Sequence, residues 1–202
     1  MTTGGSARGG GGNFGQRRRR EQPADGGRTP DAEPPTEEAA RTIALRLLAA
    51  APRSRGELAA KLADRDVPDD IVQPLLDRFE EVQLLDDAAY AEMLVRTRHR
   101  ERGLARRALA QELRRKGIDG EVAEQALEQV DDDAELAAAR DLAMRRVRSS
   151  RGLDRDKRRR RLGGMLARKG YPAGVAMRAV DEALAADGED VADDGEPMHD
   201  GV

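Results

Sequence analysis

The strongest constraint on this chain is a repeat. Leu62, Asp66, Val67, Pro68, Ile71, Leu76 and Phe79 return 51 residues later as Leu113, Gly117, Ile118, Asp119, Val122, Leu127 and Val130. They return again 53 residues further on as Leu166, Gly170, Tyr171, Pro172, Val175, Val180 and Ala183. Each copy reads as helix, helix, tight turn, helix. A threefold repeat of this length predicts an all-α chain, a tandem array of three three-helix repeats whose neighbours share buried faces. Each copy offers only a few large apolar side chains, each contributing roughly 1.5–3 kcal/mol when buried, so a single copy is marginal against chain entropy.

Local signals mark the units. Thr36 reads as an N-cap before Glu37 and Glu38, and Ile43, Leu47 and Leu48 supply an apolar face until Pro52. Ser54 to Glu57 is a capping box that opens a helix with Leu58 and Leu62 inside. Pro68 starts the next helix, with Ile71, Leu75, Leu76 and Phe79 inside, and Pro74 is expected to kink it or delay its start. In the second copy, Tyr90, Met93, Leu94 and Thr97 share one stripe, and Ala105, Leu109, Leu113 and Lys116 share another. Gly117 and Gly170 suit the left-handed position that closes a helix, whereas Asp66 tolerates it less well. Asp132 to Glu135 is a second capping-box pattern. The expected repeats are therefore 36–85, 86–131 and 132–186. A disordered Gly/Arg/Pro-rich tail is expected over 1–35 and an acidic one over 187–202.

Charge excludes more than it assigns. The chain is 37% charged and 2% aromatic, which disfavours a sandwich or barrel. There is no cysteine, so disulfides, cysteine–zinc sites and thiol catalysis are out, in keeping with a reducing compartment. No apolar signal core opens the sequence, and no run approaches the ~20 apolar residues of a membrane helix. A soluble, cytoplasmic protein, monomeric and away from membranes, is the expectation. Neither His99 nor His199 has a metal-ligand partner at helical spacing. Gly10, Gly12 and Gly15 match a dinucleotide-binding glycine pattern without the flanking strand and helix that would give it meaning, and there is no phosphate loop or nucleophile elbow. No catalytic residue, metal or cofactor is expected.

The charges are segregated. Asp119 to Glu135 holds eight acids and no base, and Arg140 to Lys169 holds thirteen bases and three acids. A surface built only for solubility mixes its signs. The candidate contact residues are Arg96, Arg98, Arg100, Arg106, Arg107, Arg114, Arg115 and Lys116 in the second copy. Arg158, Arg159, Arg160, Arg161, Arg168 and Lys169 are their counterparts in the third. No aromatic residues are interleaved with them, so they suit phosphate or an acidic protein groove better than unpaired bases.

The order of short motifs carries a resemblance. Leu85, Asp86, Asp87, Tyr90, Ala91, Val95, Arg96 and Arg98 lead into Glu112, Leu113, Lys116, Gly117 and Ile118, and then to Lys169, Gly170 and Tyr171. Over about residues 37 to 186 this resembles the RecX family, bacterial regulators of the RecA recombinase. One departure is Arg102-Gly103-Leu104-Ala105, where family members often carry a Gly-x-Gly-Pro turn. The resemblance implies three three-helix repeats and binding to RecA or the RecA–DNA filament, in whose groove the protein would lie. It also implies modulation, mainly inhibition, of RecA's ATPase, strand exchange and coprotease functions in recombination, DNA repair and the SOS response. Single- or double-stranded DNA is a further candidate partner. The rival reading of the residues is a helix-turn-helix DNA-binding regulator acting without RecA. An enzyme would need a pocket of converging polar groups.

Overall fold

The computed structural model describes residues 35–193, with side chains as far as Gly188. The head expected over 1–35 therefore lies outside the described residues except for its last position, and so does the tail from 194 on. Among the described residues there are nine α-helices, one 3-10 turn and no strand. The first triad is α1 (Glu37–Ala50), α2 (Arg55–Ala63) and α3 (Asp69–Glu81). The second is α4 (Asp87–Arg102), α5 (Arg106–Arg115) and α6 (Gly120–Leu127). The third is α7 (Asp132–Val147), α8 (Arg155–Arg168) and α9 (Ala173–Asp193), with the 3-10 turn Arg148–Ser150 between α7 and α8.

The caps follow from the residues named above. The Thr36 hydroxyl accepts from the Ala39 amide and the Ser54 hydroxyl from that of Glu57, which satisfies donors that a helix start leaves orphaned. The cap of α7 is Asp131, one residue before the expected box, and it accepts from Ala134 at 2.7 Å. Each middle helix ends the same way. The amides of Val67, Ile118 and Tyr171 donate back to the carbonyls of Leu62, Leu113 and Leu166. Asp66, Gly117 and Gly170 take φ of 59°, 77° and 92° to allow it. α3 continues through Pro74, which is exposed and does not delay the helix start.

Each triad surrounds its own apolar cluster, and the inward faces differ in part from the expected stripes. In α1 the buried residues are Ala40 and Ala44, with Ile43, Leu47 and Leu48 on the flank. In α3 and its counterparts the inward position is Val72, Ala123 and Ala176, one residue past Ile71, Val122 and Val175. In α4 it is Ala91, Leu94 and Val95, while Tyr90, Met93 and Thr97 are half-buried. Ala105, Leu109 and Leu113 are fully buried as expected. α9 also runs past Ala186, so Asp187, assigned above to the tail, is a helical residue buried to 2% exposure.

One joint links the triads, and it is used twice. The closing turn of one middle helix packs on the start of the middle helix before it. At the first joint the Ser54 hydroxyl donates to the Lys116 carbonyl at 2.5 Å. A Cβ on Gly117 would lie 3.0 Å from Gly56 Cα. At the second, the Ala105 amide donates to the Lys169 carbonyl, and a Cβ on Gly170 would lie 2.8 Å from both Cβ and N of Ala108. An acid from the next triad caps each of these helix starts. Asp87 accepts from the Arg55 amide at 2.7 Å, and Glu135 from the Arg106 amide at 2.9 Å. The acids sit where the helix dipole favours negative charge. Ala105 belongs to α5's end of the second triad in sequence but to the third triad's core in space.

Candidate polyanion-binding surface

The joints account for several of the basic residues. Lys116 donates to the Glu57 carboxylate at 2.5 Å, and the Tyr90 hydroxyl donates to the same group at 2.8 Å. Burial alone would raise the Glu57 pKa; the Lys116 and Tyr90 bonds outweigh it and hold the carboxyl below its ordinary value. At the same joint burial wins over the amide bond and pushes Asp87 up. Lys169 Nζ donates to the Arg102 carbonyl, and the Tyr171 hydroxyl to that of Gly103 at 3.1 Å. The Arg102-to-Ala105 turn thus sits inside the second joint, with Gly103 left-handed at φ 57°.

The fourteen candidates divide by what their side chains do. Arg98 pairs with Glu112, Lys116 with Glu57, Arg158 with Asp187 and Arg159 with Asp181. Arg106 donates to the Leu127 and Val130 carbonyls at the end of α6, and Lys169 to Arg102 as above. These six side chains are therefore engaged with partners inside the array. Their roles repeat with the sequence: Arg55, Arg106 and Arg159 are equivalent positions, and each ties its middle helix to the third helix of its own triad. The other eight, Arg96, Arg100, Arg107, Arg114, Arg115, Arg160, Arg161 and Arg168, are exposed. They carry no side-chain hydrogen bond or ion pair among the described residues.

The strongest concentration of charge is a cleft of about 710 Å³ between the second and third triads. Arg100 and Arg102 come from the end of α4, Arg145 and Arg146 from α7, and Arg161, Arg168 and Lys169 from α8. Leu142, Leu162 and Met165 add apolar wall, and Glu101 is the single acid in the lining. Burial, then Coulombic repulsion from Arg146, Arg102 and Arg145, pushes the Lys169 pKa below the ordinary lysine value. Like charges gathered around a single acid oppose one another in the free protein. An anion entering the cleft relieves that repulsion and gains planar, bidentate guanidinium donors suited to phosphate or carboxylate. Arg168 also lines a second groove of about 570 Å³ on the other side of α8, together with Arg107, Gln111 and the bare backbone of Gly163 and Gly164.

Arg102, Arg145 and Arg146 were not among the sequence candidates. Leu142, Arg145, Arg146 and Ser149 do share a face at helical spacing, which was a usable signal. Arg102 joins them only through the second joint. Among the described residues no group of three or more His, Asp or Glu could hold a metal, and the His99 ring faces the Leu104 carbonyl at 2.9 Å. No helix of the described residues is long and apolar enough to cross a membrane.

Comparison with known proteins assigns the three triads in order. The first, second and third three-helix domains of RecX match residues 40–79, 86–127 and 133–180. The chain belongs to the RecX family. The regulatory protein RecX of Streptomyces coelicolor is 51% identical over 173 residues, covering 82% of this chain and 92% of that one. Its counterpart in Thermobifida fusca is 49% identical over 152 residues, 75% of this chain and 82% of that one. A crystal structure of regulatory protein RecX superposes with a TM-score of 0.65 at 27% identity, covering 72% of this chain and 71% of its own. RecX from Lactobacillus salivarius gives the same TM-score at 23% identity, over 73% and 96%, a likeness of fold. Several residues of the motifs that carried the resemblance sit at the joints of the RecX array: Asp87 caps α2, Tyr90 and Lys116 clasp Glu57, and Gly117 and Gly170 allow the close approach.

Proposed function

We propose that this RecX protein is a non-catalytic regulator that binds RecA and the RecA–DNA filament and mainly inhibits RecA's ATPase, strand exchange and coprotease activities. It acts as a monomer in the cytoplasm, where RecA works. The observation that carries the contact surface is the cleft between the second and third triads, whose cations face one another with a single acid among them. Five further exposed arginines, Arg96, Arg107, Arg114, Arg115 and Arg160, extend the same positive field along α4, α5 and α8. A filament of protein on DNA presents both phosphate and acidic protein surface to such a field.

The test is RecA's DNA-dependent ATPase on preassembled filaments with the purified chain added. Inhibition that grows with the ratio of this protein to RecA is expected. Arg145→Ala combined with Arg146→Ala should require several-fold more protein for the same effect. No change in rate at severalfold excess overturns the proposal. A sequence-selective footprint on DNA without RecA would instead favour the helix-turn-helix reading.

A further inference from the structure

Among the described residues Glu101 is the single acid lining the cleft, yet the same chain carries a block of acids over the last turns of α9 and the residues after it. Glu189, Asp190, Asp193, Asp194, Glu196 and Asp200 lie within fourteen residues that contain no Lys or Arg. The point at which this block leaves the array is set by the packing of α7 and α9. Arg140 of α7 pairs with Glu182, and Arg151, just past the end of α7, pairs with Asp187. The two helices therefore run in the same direction, and α9 emerges beside the C-terminal half of α7. That half is the wall of the cleft, through Leu142, Arg145, Arg146 and Ser149. Asp187 itself shares a shallow depression with Arg145, so a single helix width, roughly 10 Å, separates the end of the described side chains from the cleft. The nine residues after Asp193 can extend by as much as ~30 Å, ample for that crossing.

We propose that the acidic segment that follows α9, residues 194–202, is the resident occupant of the cleft between the second and third triads, and that an external polyanion binds there by displacing it. The inference rests on reading that cleft as a polyanion-contact surface. Several arginines then exchange one set of carboxylates for another set of anions. Such an exchange weakens adventitious binding by lone anions, because each must compete with a tethered ligand at high local concentration. A long polymer that engages the flanking arginines of α4, α5 and α8 as well still prevails.

The sequence has no cysteine, so Met198→Cys provides a single thiol for a nitroxide label. With the label attached, the backbone amide signals of Arg102, Arg145 and Arg146 should broaden relative to the reduced label, while those of Leu58 and Leu62 in α2 stay sharp. Replacing Asp193, Asp194, Glu196 and Asp200 by their amides should abolish the broadening. It should also tighten binding of a fluorescent single-stranded oligonucleotide by ~3–10-fold at low ionic strength, a gain that disappears as salt screens the pairs. Added oligonucleotide should relieve the broadening in the otherwise unchanged chain. Cleft amides that stay as sharp as those of α2 overturn the inference, even if the oligonucleotide shifts them. Broadening that oligonucleotide cannot relieve supports the intramolecular contact and sinks the polyanion reading instead.

Discussion

Gly170→Ala and Gly152→Ala make a matched pair that isolates the second joint. Both glycines have left-handed φ, 92° and 88°, so each alanine incurs the same backbone strain, roughly 1–2 kcal/mol. Their surroundings differ. Around Gly152 a Cβ would meet nothing within 4 Å, whereas at Gly170 it would meet Ala108 Cβ and N at 2.8 Å. One of those atoms is backbone and the other is fixed directly to it, so neither can swing aside. Relief requires the Lys169-to-Tyr171 turn to back away from α5. That movement weakens the bond from the Ala105 amide to the Lys169 carbonyl and the Tyr171 hydroxyl bond to Gly103. Overpacking of this kind costs about 1–3 kcal/mol. The expected loss is therefore about 1–2 kcal/mol for Gly152→Ala and about 2–5 kcal/mol for Gly170→Ala. With no tryptophan in the chain, urea unfolding is best followed by circular dichroism. At a slope near 2 kcal/mol/M the two midpoints should differ by roughly 0.5–1.5 M. A shallower transition for Gly170→Ala would show the third triad melting apart from the second. Equal midpoints and slopes for the two variants would refute the joint as a close-packed contact.

Two further outcomes follow from the site. Arg160→Ala with Arg161→Ala should leave the urea midpoint in place and lower the salt dependence of filament binding by ~1–2 units, while Arg158→Ala should cost ~2–3 kcal/mol of stability because buried Asp187 loses one of its two arginines; a salt titration beside a urea melt separates them. Asp187 is held low by its Arg151 hydrogen bond, against an opposing desolvation, with Arg158 adding to it, and Glu57 is also lowered. Stability from these depressed carboxylates is complete above their ordinary 3.8 and 4.5 and is lost as pH falls through their lower folded values. Raised Asp87 acts in the opposite sense over its own window. Asp187→Asn should be less stable at neutral pH yet lose less on acidification, as read from urea midpoints at several pH values.

Residues whose partners are near in sequence were legible. The caps at Thr36 and Ser54 and the closing turns at Gly117 and Gly170 depend on contacts within a few residues, and the stripe of Ala105, Leu109 and Leu113 follows from helical spacing, although Ala105 is buried in the third triad's core. Contacts with a neighbouring triad were not legible. Tyr90 does pack against the second triad's core, but its hydroxyl also reaches Glu57, 33 residues away, at the first joint. Glu135 looked like half of a capping box, but it caps the previous middle helix instead.

What the sequence determined by itself is the repeated unit: helix periodicity, cap chemistry and the left-handed turn are local, and three copies that each offer only a few large apolar side chains require stacking. What only the tertiary structure decided is which arginines are available. In the run Arg158 to Arg161, the first two are taken by Asp187 and Asp181 of α9, 29 and 22 residues away, and the last two face solvent. The cleft likewise draws its cations from the ends of α4, α7 and α8. A charge is a long-range object whose role depends on every opposite charge within a few ångströms, and those neighbours are assembled by packing.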